Sequence, residues 1–412
     1  MAPTARPSTS QSIAVIGAGV AGCALVAQLR RLGVQSPISL WETGRGPGGR
    51  ASTRFSRLDG GFRLDHGAPL LNLSGAPDPQ LLAPLLEGGW LEPWAGRAAR
   101  LEGEAQLRLD LADAYGLGGL WVGKGGMHQL GKGLLQLAGP EVEQHFGSFV
   151  RHLQRPRGGP WRLLGVGREL LVEADWLVLS STLLAHPRSQ LLFGWPEAPL
   201  KTAAASLGDL QLDHALTTIA GIRVEARSNL LLVIPEGWAH AWLDLPFGLL
   251  HCDGPAQQRW GIRRVSIQPL ADGRCGVVVH SSDVFAADHL DVYGSHSAVA
   301  TMLQLPPDGG REETVISALT SALVQMLAPW LGDAAGWQSR LETLGASERQ
   351  LMRWAAAFPV APGLPTELMF CRQSRVGFCG DYLAGVGFGR IEGAWRRGEE
   401  LAALLVNQLQ RH

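Results

Sequence analysis

Three glycines, an acid and two arginines near the start of the chain have the types and spacing that chemistry needs. Gly17, Gly19 and Gly22 form G-x-G-x-x-G, with Ala18, Val20 and Ala21 between them. The apolar run Ile13–Ile16 precedes them, a helical run to Leu32 follows, and Ile38–Glu42 reads as a second strand ending in an acid. Gly17 allows a tight turn, Gly19 lets the backbone approach a pyrophosphate, and Gly22 lets the helix pack closely on the strand. With Val20 and Ala21, Gly22 forms the helix N-terminus, which presents unbonded N–H groups and partial positive charge to phosphates. Glu42 lies twenty residues beyond Gly22, where a carboxylate can accept both ribose hydroxyls of an adenosine. The pattern specifies a dinucleotide without saying which one.

The next loop narrows the choice. Arg45, Gly48, Gly49, Arg50 and Thr53 fit R-x-x-G-G-R-x-x-T. This resembles the loop after the second strand in FAD-dependent amine oxidases, phytoene desaturases and renalases. The resemblance implies non-covalent FAD, with the glycine N–H groups and the Arg50 guanidinium as a second donor set for its pyrophosphate. Leu64–Leu70 is similar to the family's D-x-G-A segment, which passes beside the flavin ring, so Gly67, Ala68, Pro69 and Leu70 are expected there. His66 reads either as a catalytic base or as a hydrogen-bonded structural histidine. By the same resemblance Val142 lends its backbone to the adenine, and the G-D pair Gly380–Asp381 places a carboxylate on a ribityl hydroxyl. Arg390, Ile391 and Ala394 open a last helix aimed at the flavin N1–C2=O edge. A helix N-terminus there stabilises the reduced flavin's negative charge by about 0.3–1 kcal/mol.

Several segments are similar to renalases in particular. They include Cys275–Ser282 followed by Asp288–Leu290, and Arg353–Pro359 with Trp354, expected either in the flavin cavity or in core packing. Arg390 stands where similar amine oxidases carry an aromatic residue that orients a neutral amine. A fixed cation there disfavours an ammonium and favours a phosphate-bearing donor. Only three tyrosines (Tyr115, Tyr293, Tyr382) are present to build an aromatic cage. The family's A-x-P is replaced here by Ser180-Ser181-Thr182.

The elements that must hold these residues are read from periodicity. Asp175–Ser180 is a buried strand and Val376–Asp381 another. Glu141–Glu143 opens a β-meander with Val150, Trp161–Leu164 and Glu169–Val172, turning at Gly165–Gly167. Leu107–Leu109, Thr217–Ile222, Leu230–Ile234, Arg263–Ile267 and Gly276–His280 alternate like strands. Glu312–Leu327 is a long helix, and Met302 and Met326 are core. The resulting fold class is α/β (α+β overall): a Rossmann-type doubly wound FAD-binding domain with a second, mixed-sheet substrate domain. The first is assembled from residues 1–76, 121–182 and 355–412, the second from 77–120 and 183–354, with the flavin at their interface.

Composition sets the outer bounds. The 412 residues are 46% hydrophobic with net charge −1, which gives no electrostatic case for nucleic acid or an anionic membrane. Lysine occurs only at Lys124, Lys132 and Lys201. Five cysteines (Cys23, Cys252, Cys275, Cys371, Cys379) contain no C-x-x-C; no disulfide framework or metal site is expected, and a cytoplasmic location fits. Residues 1–11 read as a disordered tail, and outside Ile13–Leu29 no run of about 18 apolar residues escapes charge or proline. The first functional reading is a renalase-like oxidase of 2- and 6-dihydro isomers of NAD(P)H, passing electrons to O₂. An amine oxidase or desaturase and an FAD-stabilised binding protein without turnover are the alternatives.

Overall fold

The computed structural model describes residues 11–56, 61–109, 118–295, 306 and 308–410. Residues 1–10 of the tail, Tyr115 and Met302 lie outside them.

Two sheets dominate. The first has the order β10–β2–β1–β14–β21–β20, with β1 Ile13–Ile16, β2 Ile38–Glu42, β10 Val142–Phe146, β14 Trp176–Leu179, β20 Phe370–Cys371 and β21 Val376–Phe378. All neighbours are parallel except β20 with β21. Apart from the edge strand β10, with Glu143, Gln144 and His145, these strands are short and nearly continuously apolar because helices cover them. The helix Val20–Arg31 buries ten of its twelve residues. It packs against the helices His128–Ala138 and Ile391–Leu409. Gly398 makes the second contact possible, since a Cβ there would lie 2.5 Å from the Ala21 carbonyl oxygen.

The second sheet has the order β19–β15–β18–β17–β16–β7–β8, with β7 Ala98–Glu102, β8 Gln106–Arg108, β15 Val224–Ile234, β16 Leu249–Cys252, β17 Ile262–Pro269, β18 Cys275–Ser281 and β19 Arg349–Pro359. One face is apolar and covered by the helix Gly309–Leu331, which contributes Val315, Leu319, Leu323 and Met326 to the core. That helix is long and apolar enough to cross a membrane by length and composition, although Pro329 and Glu313 keep its charge-free, proline-free run short, as the run-length reading has it. It is nonetheless packed on the sheet and carries Pro329. Smaller sheets are β3 Thr53–Phe55 with β4 Arg63–Asp65; β5 Leu71–Leu73, β9 Gly119–Gly123 and β6 Leu91–Pro93; and the meander β11 His152–Gln154, β12 Trp161–Leu164, β13 Leu170–Ala174.

Four expectations change. Thr217–Ile222 is not a strand but lies at the end of the helix Leu210–Gly221. Asp209 caps it by accepting from the Gln211 and Leu212 N–H groups, and Leu212, Ala215, Leu216 and Ile219 form its buried stripe. The threonines that suggested alternation are exposed and donate back to the carbonyls of Asp213 and His214. Residues 142–146 join the first sheet beside β2 rather than the meander. Residues 349–359 stay in the second sheet, with Pro359 opposite Val224, so the chain returns after Pro359. The segment 77–120 divides: Leu81, Leu82 and Leu85 pack in the first sheet's core, while β7 and β8 extend the second sheet.

Candidate cofactor and substrate site

At the carboxyl ends of β1 and β2, the glycine turn is built as its spacing requires. Gly17 has φ of +104° and donates its N–H to the Trp41 carbonyl at 2.7 Å. A Cβ on Gly22 would sit 2.1 Å from the Gly17 oxygen, so that glycine is needed for internal packing. Gly19 is different: a Cβ there would meet nothing within 4 Å. It caps the helix Val20–Arg31 without a side-chain hydrogen bond, so the turn at Val20 and Ala21 keeps the open anion-facing character of a bare helix start. Glu42 accepts from the Ala18 N–H at 2.8 Å and the Gly44 N–H at 2.6 Å, one on each oxygen. A second lone pair on each oxygen is left for ribose hydroxyls.

The second glycine loop docks on the first. Gly48 donates to the Ala18 carbonyl at 2.8 Å, and Gly49, with φ of +56°, has room for a Cβ only 3.2 Å from the Gly19 Cα. Arg45 is exposed. Ser180, the first residue of the Ser180-Ser181-Thr182 stretch, donates its hydroxyl to the Gly17 carbonyl at 2.6 Å and fills the space beside Gly17 and Gly22.

Arg50 corrects one expectation. Its two amino nitrogens grip both Asp381 oxygens at 2.8 and 2.6 Å, and one also donates to the Ala357 carbonyl at 2.5 Å. Burial works against the Arg50 charge, but the Asp381 carboxylate outweighs it and holds the guanidinium pKa above its ordinary value. Thus the arginine assigned to the pyrophosphate and the aspartate assigned to the ribityl chain form one bidentate pair across 331 residues. The cation missed by sequence reasoning is Arg188, at the start of the short helix Arg188–Phe193. Burial and the nearby Arg50 lower its pKa to about 10, against the pull of Asp381. It lies in a stretch with no motif.

The D-x-G-A segment bolts the two sheets together. Asp65 accepts from the Thr53 hydroxyl at 2.5 Å and the Met127 N–H at 2.9 Å. A Cβ on Gly67 would lie 1.9 Å from the Arg50 carbonyl oxygen, to which Ala68 donates at 2.9 Å. The close approach that demands glycine is therefore to the Arg50 backbone. Arg264 donates to the Gly67 carbonyl at 3.1 Å, and Leu70 packs against Ala98 and Leu249. Pro69 between them is half-buried. The His66 ring stacks on Trp354 with centroids 5.8 Å apart and lies 3.1 Å from the Ser52 hydroxyl through Nε2. Its Nδ1, the Trp354 Nε1 and the Asn229 Oδ1 are buried without a hydrogen-bond partner. Asn229 donates to the His66 carbonyl at 3.2 Å. Three orphaned polar atoms around one segment are the signature of a site that a ligand or water completes.

Two further expectations fail. Arg390 donates to the Asn72 Oδ1 and Ser74 hydroxyl, both at 2.8 Å, and to Glu392 at 2.9 Å. Glu392 is fully buried and also accepts from the Ser74 and Gly75 N–H groups and Arg396. Burial opposes its charge, yet those donors hold its pKa below the ordinary value. Arg390 is thus a neutralised clamp on the 72–75 loop, not a free cation. It precedes the helix Ile391–Leu409, whose first turn, including Ile391 and Ala394, has no side-chain cap. Val142 pairs with Ile38, at the opposite end of β2 from Glu42, roughly 13 Å away at strand rise. The backbone beside Glu42 belongs to Phe146, its partner in register, and to Ser148, which donates to the Glu42 carbonyl at 2.9 Å.

The buried titratable groups give a pH prediction. Burial and Arg54 push His66 down to about 4; burial, Lys132 and Arg63 do the same to His128. Burial and neighbouring arginines lower His251 to about 3 and His280 well below 6.5. Burial raises Asp65 to about 6 despite its donors. The depressed histidines contribute stability that is present above 6.5 and lost as pH falls toward 4. Asp65 has the opposite sign: its contribution is present below 3.8 and lost as pH rises through 6. Four groups against one make the urea midpoint fall on acidification between 6.5 and 4, and His66→Asn should flatten that slope. A midpoint that rises over the interval would contradict these environments.

The family model described as an NAD(P)-binding Rossmann-like domain matches residues 15–84. No curated relative matches by sequence. A solved protein from Exiguobacterium provisionally described as a protoporphyrinogen oxidase is similar at 12% identity and TM-score 0.60, covering 97% of this chain and 99% of its own. Cyclohexylamine oxidase from Brevibacterium oxydans is similar at 14% identity and TM-score 0.59, covering 97% and 100%. Putrescine oxidase, in a structure bound to putrescine, is similar at 13% identity and TM-score 0.54, covering 96% and 99%. At such identities the likeness is one of fold, and it spans nearly the whole chain: this is the two-sheet architecture of those solved proteins, with a Rossmann-like turn at its start.

Proposed function

We propose that this chain is an FAD-dependent oxidoreductase that oxidises a small phosphorylated donor and returns the electrons to O₂ as H₂O₂. The observation that carries the reading is the convergence of the Gly19 turn, Glu42 and the Arg50–Asp381 pair at the carboxyl edge of one parallel sheet. Gly19 leaves an unfilled cradle, with nothing within 4 Å of its Cβ position, that a phosphate suits. Glu42 would hold the adenosine ribose, and the helix start at Val20–Gly22 the pyrophosphate, with Arg188 as its nearby cation. Asp381 would hold the ribityl chain while Arg50 fixes its carboxylate. FAD supplies a two-electron acceptor when bound. The protein's own part is to orient the donor beside the 66–70 segment and to exclude water there. Neutral His66 and Trp354 provide a flat wall, and Asn229 an acceptor.

For the donor, we propose the 2- and 6-dihydro isomers of NAD(P)H. Arg390 no longer supports this, but other residues do: His66 lies near Arg54, and His280 on β18 near Arg264 and Arg227, an environment that disfavours an ammonium. Anaerobic stopped-flow tests it. Rapid bleaching by the dihydro isomers, with slow bleaching by ordinary NAD(P)H and benzylamine, is the expected result. Rapid reduction by benzylamine or putrescine alone would make the enzyme an amine oxidase, and no reduction by any donor would leave a binding protein.

The flavin is expected to be non-covalent. Cys371 and Cys379 are both buried, one donating to the Leu368 carbonyl and the other inside the core beside β21. Acid precipitation should leave a yellow supernatant; a yellow pellet would refute it.

A further inference from the structure

Arg50 and Arg390 are matched within the chain, by Asp381 and Glu392. Arg188 is not. The residue is half-buried, and its guanidinium makes no hydrogen bond or ion pair with any described residue. Arg50 repels it, and Asp381, the carboxylate that attracts it, has both oxygens taken by Arg50. A desolvated cation so placed weakens the fold that carries it. Such groups persist where an anion completes them.

The chain fixes this cation in place. The His186 imidazole bridges two backbones: its Nδ1 accepts the Arg188 N–H at 2.9 Å, and its Nε2–H donates to the Ile222 carbonyl at 2.9 Å. A neutral ring satisfies both. The next residue, Arg223, accepts from the Val360 N–H at 2.9 Å, and Ala357, just upstream of Val360, holds Arg50. These contacts bring Arg188 to the Arg50–Asp381 pair. Ser189, fully buried, donates its hydroxyl to the His186 carbonyl at 2.9 Å. The helix Arg188–Phe193 then runs into an aromatic cluster. Phe193 and Trp195 stack with centroids 4.6 Å apart, Phe149 packs on them at 5.6 and 6.0 Å, and the Arg151 guanidinium lies 3.7 Å from the Trp195 centroid. Phe149 follows Ser148, whose N–H donates to the Glu42 carbonyl. One end of the arm is thus tied to Asp381 and the other to Glu42. In a dinucleotide with its adenosine ribose on Glu42 and its ribityl chain on Asp381, the part between them is the pyrophosphate.

We infer that the arm from Thr182 to Trp195 is a cation support: Arg188 takes the FAD pyrophosphate, and His186 is its positioning residue. The inference rests on the FAD reading above and deepens it by naming the residue that stands in for Arg50 on the phosphates. Flavin-stripped wild type, Arg188→Gln, Arg188→Lys, His186→Ala and the double variant Arg188→Gln/His186→Ala are melted and then titrated with FAD. Arg188→Gln should melt at the wild-type temperature or above it, yet bind FAD about 10- to 100-fold more weakly. Arg188→Lys should fall in between. His186→Ala should weaken FAD binding when Arg188 is present and leave it unchanged in the Arg188→Gln background. Additive losses would remove His186 from its positioning role. Equal FAD affinity in Arg188→Gln, or a loss of affinity matched by a lower melting temperature, overturns the inference and leaves the FAD reading standing. Folded wild type that takes up no FAD overturns both. A last arm titrates ADP-ribose into flavin-loaded protein. Normal FAD affinity with weakened ADP-ribose binding in Arg188→Gln would give the cation to the donor's phosphates and overturn its assignment to the cofactor.

Discussion

Arg50→Ala is expected to purify without flavin and to melt at a lower temperature than the wild-type apoprotein. The guanidinium does two jobs at once. It neutralises Asp381, whose side chain is only 7% exposed, through two hydrogen bonds, and it ties the first domain's loop to the Ala357 carbonyl on β19. Removing one partner of a buried pair leaves the other charge uncompensated, which costs about 3–5 kcal/mol when fully buried. Arg50 itself is 40% exposed, so solvent screens part of that, and about 2–4 kcal/mol is expected. Asp381→Asn on top of Arg50→Ala should recover part of the loss, because the orphaned charge is gone; additive effects would argue against the pair. Glu42→Gln serves as the mild comparison. An amide oxygen still accepts one of the two N–H groups, so about 1 kcal/mol and retained flavin are expected. Full flavin occupancy and an unchanged melting temperature in Arg50→Ala would refute the assignment.

Gly19→Ala and Gly22→Ala are expected to fail in opposite ways although they sit three residues apart. A methyl on Gly22 would press within 2.1 Å of the Gly17 oxygen and 3.1 Å of the Ser180 hydroxyl. Backbone cannot yield as a flexible side chain does, and such overpacking costs about 1–3 kcal/mol or more. The apoprotein should be destabilised and the cofactor lost with it. Gly19 has φ of −67° and ψ of 176°, a conformation open to any L-residue, and nothing within 4 Å of its Cβ position. The apoprotein should therefore melt unchanged while flavin affinity falls by roughly 100-fold, the effect of a methyl where a charged phosphate meets N–H donors. Melting curves of both apoproteins, with FAD titrated into each, separate the two. Normal FAD affinity in Gly19→Ala would show that the cradle faces no ligand.

Local chemistry explains what could be read from the sequence. The turn, the helix after it, Glu42 at the end of β2 and the last helix all lie within short spans, where glycine geometry, apolar periodicity and a terminal acid suffice. The doubly wound sheet followed, because short apolar strands alternating with helices have few other ways to bury themselves. Thr217–Ile222 was misread because four β-branched residues (Thr217, Thr218, Ile219, Ile222) outweighed an Asp209 cap lying eight residues upstream. Val142 was misplaced because a strand's direction, and hence which end meets Glu42, depends on its neighbour β2. The tertiary structure alone decided the partners of the charges. Arg50 and Asp381 are 331 positions apart, and Arg390 is held by a loop more than 300 residues away. Sequence by itself determined the open glycine turn at which a dinucleotide is proposed to lie, since backbone turns are local. Which side chains would meet its phosphates, and which were already spent on one another, depended on packing between distant segments.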